Sequence, residues 1–154
     1  MDDFLPIYLH THLAGAGLAV DLLRALRDKH QHDPLSAFTS SLLMEVEADH
    51  AVLMELSAVI KSNDPREQTE WLSEQALRLK VESGPGTLEA LEFLSLAILG
   101  KLALWRALHA ASASDERLRG VDFARLISRA QDQHQRVESC RLEVAKEVFA
   151  KFKG

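Results

Sequence analysis

The sequence predicts an all-α fold: an up-and-down four-helix bundle, a single helical-bundle domain over residues 1–154, with an additional short helix between the second and third long helices. Three observations predict it. Leu and Ala dominate while Val, Ile and Thr are sparse, and the period-two alternation of a half-buried strand is absent. Apolar residues instead form stripes at helical spacing. The helix breakers fall in a few places and leave long segments between them.

The first long helix spans residues 6–29. A turn at 30–33 ends it, and Asp33 before Pro34 is placed to cap the next helix, 35–61. A second turn covers 62–64. There Asp64 stands at the N-cap, Pro65 at the first helical position and Glu67 at the third, a capping-box arrangement. The short helix, 65–81, carries Trp71, Leu72, Ala76 and Leu79. Ser83-Gly-Pro-Gly86 is a loop. The third long helix, 88–111, is apolar almost all round, the pattern of the most buried helix of a bundle. The polar stretch 112–120 ends in glycine, and the fourth long helix covers 121–151. The short connections after the first and third helices imply antiparallel neighbours.

Composition bounds the function. The chain has 154 residues, 47% hydrophobic and 27% charged, with a formal charge of −5. That is ordinary globular composition, and the scattered basic residues disfavour a nucleic-acid partner. Cys140 is the single cysteine, so neither an internal disulfide nor a cysteine metal cage can form, and it reads as core filling. The N-terminus lacks a signal-peptide pattern. The longest uncharged run of the apolar third helix, 93–100, is far below the ~20 residues of a membrane span. The expectation is a soluble, cytoplasmic protein with no membrane partner.

The informative residues are polar ones on the apolar stripes. At about 100° per residue, His12 shares a face with Leu5, Leu9, Ala16 and Leu23. Asp49 shares one with Leu42, Val46, Leu53 and Ile60. Gln133 lies among Leu126, Ala130 and Val137, and Lys101 among Leu94, Ile98 and Trp105. A buried charge must find partners. Counted back from the turn near residue 31, His12 and Asp49 lie within about one turn, ~5 Å, of the same height. Lys101 and Gln133 match around the 112–120 turn. His12, Asp49, Lys101 and Gln133 therefore read as a buried polar network that fixes register, with a ligand site as the alternative. A His–Asp pair also suits base catalysis, but no Ser or Cys nucleophile stands beside it. Ala14-Gly-Ala-Gly17 in the first helix implies close helix approach or, functionally, room for a small molecule beside His12.

A metal centre is the other chemistry to weigh. Ferritin-like di-metal bundles use two Glu-x-x-His motifs and two further inward Glu residues. Glu47-Ala-Asp-His50 matches as text, Gln131-Asp-Gln-His134 lacks the carboxylate, and the first helix has no Glu. Glu47 lies roughly 120° off its stripe, so Asp49 is the inward acid. The candidate ligands for Fe, Mn or Zn are His12, Asp49, His50, Glu92 and His134, although Lys101 would more naturally neutralise Asp49. No resident cofactor is expected. Trp71 and Trp105 read as packing residues, and Arg24, Arg27 and Lys29 as a solvated helix end.

Tyr8-Leu-His-Thr-His-Leu-Ala-Gly-Ala16, the acidic helix ending in Asp49, and Gly100-Lys-Leu-Ala-Leu-Trp-Arg106 together resemble an uncharacterised family of small bacterial helical proteins. The resemblance covers most of the chain. In that family an Arg often follows the aspartate, where this chain has His50. The resemblance implies a helical bundle, ferritin-like in overall shape, and carries no function; shape alone implies no metal. The leading expectation is a non-enzymatic bundle acting through a protein partner or as a homo-oligomer. The alternatives are a ferritin-like metal-binding protein or metal-dependent oxidoreductase, and a small-molecule binder with a cavity beside Gly15 and His12.

Overall fold

The computed structural model describes residues 2–60 and 86–151. Among these it has four long helices and no strand: α1 (Leu5–Lys29), α2 (Leu35–Val59), α3 (Gly86–Ala111) and α4 (Phe123–Lys151). A 3-10 turn, Glu116–Leu118, precedes α4. The short helix expected at 65–81 and its capping box lie outside the described residues.

Local chemistry explains the boundaries. Asp3 Oδ1 accepts the Leu5 amide at 3.3 Å. Pro6 follows in the first turn of α1, where a missing N–H costs nothing. Asp33 Oδ1 accepts the Leu35 amide at 2.8 Å, placing a carboxylate at the positive end of α2. Gly86 is already helical, so α3 begins earlier than the loop pattern implies. Gly120 has φ +94°, a left-handed conformation that strains any side chain, which is why the polar loop ends in glycine. Arg117 bridges Asp3 at 2.7 Å and Asp115 at 2.8 Å, tying the start of α1 to this loop.

α1 packs along α2 and along α3, and α3 packs along α4. The core between them is built from Leu9, Leu22, Leu23 and Leu26, Leu42 and Leu53, Leu91, Leu94, Trp105 and Leu108, and Ala130 and Val137. Burying each such leucine contributes about 1.5–3 kcal/mol of transfer free energy. The apolar circumference of α3 is not all buried: Leu96 is 69% and Leu99 43% exposed. No described helix is long and apolar enough to cross a membrane.

Candidate functional site

An ionic cluster sits where α2, α3 and α4 face one another. Glu45 and Asp49 stand one turn apart on α2. Arg129, Gln133 and Arg136 follow the i, i+4, i+7 spacing that shares one face of α4. Lys101 reaches in from α3. Asp49 is 2% exposed and Gln133 is fully buried. Asp49 Oδ2 accepts from Lys101 Nζ at 2.7 Å and from Gln133 Nε2 at 3.1 Å, and its Oδ1 accepts from Arg129 Nη2. Lys101 Nζ also donates to Gln133 Oε1 at 2.5 Å. Glu45 Oε1 accepts from Arg136 Nη2 at 2.6 Å, and Arg136 Nε donates to Asp132 at 2.8 Å. Burial holds the Lys101 ammonium below the ordinary lysine range, and neighbouring Asp49 opposes that shift.

The structure thus brings Asp49, Lys101 and Gln133 together and adds Glu45, Arg129 and Arg136. It places His12 differently. His12 and Asp49 line one cavity, but no hydrogen bond joins them. The His12 ring meets Tyr8 edge-on, with centroids 4.7 Å apart. Burial lowers its pKa from the usual 6.5 and favours the neutral imidazole. Asp49 has charged donors in reach, and charge-assisted hydrogen bonds are about twice as strong as neutral ones.

The cavity has a volume of about 370 Å³ and is formed by α1, α2 and α3. Its walls are apolar (Val46, Leu53, Phe93, Leu94, Ile98, Leu104 and Trp105), with Lys101 and Asp49 as a polar end and His12 and His50 alongside. The exposed Thr11 and Leu96 line it as well and mark its rim. Gly15 and Gly100 complete the wall. A Cβ added at Gly15, Gly17 or Gly100 would meet no heavy atom within 4 Å. Close helix approach therefore does not account for the glycines of α1. Trp105, which lines the cavity, is fully buried, and its indole Nε1 has no hydrogen-bond partner among the described residues.

The metal-ligand set His12, Asp49, His50, Glu92 and His134 is not assembled. Among the described residues no group of three or more His, Cys, Asp or Glu is placed to hold a metal ion. Both Asp49 oxygens are engaged by cations or amides. Glu92 is exposed, and Glu47 points outward to Arg24 at 3.3 Å. His50 lines the cavity, its pKa lowered by burial and then by Arg24. His134 belongs to another contact: its Nε2 lies 3.2 Å from Ser95 Oγ, which donates to Glu138 Oε1 at 2.6 Å. Arg141, and next Ser95, hold Glu138 at about 2, too weak a base to activate that hydroxyl. Burial pushes the Cys140 thiol up to about 11, far from a reactive thiolate.

The sequence reading missed Glu45, Arg129, Arg136, Ser95 and Glu138. A signal was present for the first three, in the i, i+4 acids of α2 and the i, i+4, i+7 bases of α4. No protein-family model, curated protein or solved structure matches the chain.

Proposed function

We propose that the protein is a non-enzymatic bundle that binds a small, predominantly apolar molecule in the cavity beside Gly15 and His12. In this reading α1 to α4 run up and down as a four-helix bundle. The likeness to the bacterial helical family, ferritin-like in outline, is part of the proposal and brings no activity with it. The observation that carries the reading is the cavity itself. Its volume of about 370 Å³ falls in the ~300–1,000 Å³ range of ligand sites. The glycines maintain it, at ~1 kcal/mol each relative to alanine inside a helix.

The test is displacement titration with a fluorescent apolar probe such as aminoanthracene, on the unsubstituted chain and on Gly15→Leu, which fills the cavity. Saturable binding to the first and its loss in the second, with unchanged helical content, supports the reading. Equal binding to both overturns it.

A second reading, self-association or docking of a protein partner, is favoured by Leu96 and Leu99 exposed side by side on α3. Light scattering separates the two. A strict monomer that binds the probe removes self-association.

A further inference from the structure

The outward side of α3 is patterned. Glu92, Leu96, Leu99, Ala103, Arg106 and Ala110 are all exposed. They follow one another in alternating steps of four and three residues, which keeps them on one face of the helix. That is the spacing at which two helices bury a shared seam. The middle of the face is apolar, with Leu96 69% and Leu99 43% exposed. Its charges are sorted by sign. Glu89, also exposed, and Glu92 stand toward the N-terminal end, and Arg106 stands toward the C-terminal end. Glu92 and Arg106 are equidistant from Leu99, about two turns to either side. Among the described residues neither Glu89 nor Arg106 has an ion-pair partner. Glu92 is near enough to Arg141 of α4 to act on it electrostatically.

This order of charges fits a second copy of the same face. A two-fold interface uses one patch twice, so residue i meets j and j meets i. Two α3 helices laid parallel would set acid against acid and arginine against arginine. Laid antiparallel about an axis near Leu99, each brings its acids to the other's Arg106, and the four leucines meet between them. The helix dipoles agree, since each positive end then lies beside a negative one. Other exposed faces lack this complementarity. Met44, Met54 and Val59 are exposed on α2, but that helix carries Glu45, Glu47, Asp49 and Glu55 and no Lys or Arg. On α1, which packs along α3, residues 5–20 include no Asp, Glu, Lys or Arg, so that neighbour adds no opposing carboxylate or fixed cation to the seam.

Resting on the self-association reading above, we propose that two copies of the chain pair through the outward face of α3, antiparallel across a two-fold axis near Leu99. Leu96 and Leu99 of both copies form the centre, and Arg106 of each meets Glu89 and Glu92 of the other. The seam from Glu92 to Arg106 runs roughly 20 Å along one helix per copy. An interface of that extent belongs with the small, transient class, under ~1,200 Å², so the dimer is reversible and depends on concentration.

The experiment is sedimentation velocity on the full chain, from micromolar to millimolar concentration, with helical content checked by circular dichroism. It compares the unsubstituted chain with Arg106→Glu, with the double variant Glu89→Lys and Glu92→Lys, and with Leu99→Gln. These side chains are exposed, and none lines the cavity, so the result is independent of the ligand reading. The unsubstituted chain is expected to dimerise reversibly. Each charge variant should pair about tenfold more weakly, because repulsion replaces attraction at both ends of the seam. An equimolar mixture of the two charge variants should pair as well as the unsubstituted chain, since every acid again faces a base. That restoration is a readout a purely structural role would not give, and it does not depend on either variant dimerising alone. Leu99→Gln should weaken pairing without being rescued by either charge variant. A dimer that the charge variants leave unchanged, or that mixing does not restore, overturns the α3 geometry and leaves self-association standing. A strict monomer at millimolar concentration overturns both.

Discussion

Replacing Asp49 with alanine is the sharpest test of the ionic cluster. The Lys101 and Asp49 side chains are 12% and 3% exposed. Without the carboxylate, Lys101 keeps a single described acceptor, Gln133 Oε1, and Arg129 loses its ion pair. Arg129, 24% exposed, keeps some contact with solvent, while the more buried Lys101 keeps little. Breaking a buried ion pair on one side costs about 3–5 kcal/mol, a large share of the ~5–15 kcal/mol that stabilises a typical domain. At about 2–4 °C per kcal/mol for a chain of this size, Tm falls by roughly 6–20 °C. Removing both partners, as Asp49→Leu with Lys101→Met, recovers only part of the loss, because Lys101 is no longer left unpaired but Arg129 still lacks its ion pair. The assay is urea denaturation followed by far-UV circular dichroism, as a double-mutant cycle. A coupling energy of about 2 kcal/mol is expected. A loss under about 1 kcal/mol for Asp49→Ala, or strictly additive single effects, would refute the claim that these charges depend on one another.

Three further outcomes follow from the cavity and its walls. Gly15→Ala and Gly17→Ala should each stabilise the chain by up to about 1 kcal/mol, since the new Cβ meets nothing within 4 Å; a lower urea midpoint would show that neighbouring helices need the space. His12 has a folded-state pKa lowered from 6.5, so the unfolded chain takes up its proton first as pH falls. Stability is then fully present above 6.5, declines as pH drops through that value, and levels off below the folded pKa. His12→Gln should flatten that decline in urea midpoints measured across mildly acidic pH, and an unchanged slope would refute the reading. Elemental analysis after expression with added Fe, Mn and Zn should find well under one equivalent of any of them, because the Asp49 oxygens are already engaged; stoichiometric metal that survives dialysis would reopen the ferritin-like alternative.

The helices were legible because their breakers act locally. Asp33 before Pro34 and a glycine closing the 112–120 loop mark ends that backbone chemistry alone dictates. Asp49, Lys101 and Gln133 stood out because a short or amide-bearing side chain on an apolar stripe has few places to go. Arg129, Arg136 and Glu45 escaped notice because angular position locates a Cβ, while a long side chain carries its charge several ångströms beyond it. His12 shows the converse limit. Its position on the stripe was readable, but a helical wheel does not distinguish a wall facing a partner from a wall facing a cavity. The same ambiguity attended Gly15, where only the surroundings of the missing Cβ decide.

Four ion pairs of the described residues join a segment before 61 to a segment after 85 with the acid in the first and the base in the second. Asp3, Glu45 and Asp49 come from the residues before 61, and Arg117, Arg136, Lys101 and Arg129 from those after 85. Glu45 and Asp49 thus find their cations across the chain, whereas Arg117 and Arg136 also have acids in their own half, Asp115 and Asp132. Two copies of the α1–α2 half pressed together would bring Asp49 and Glu45 against their own kind. Two copies of the α3–α4 half would bury lysine against arginine. Like-with-like pairing of unfinished chains is thus penalised electrostatically.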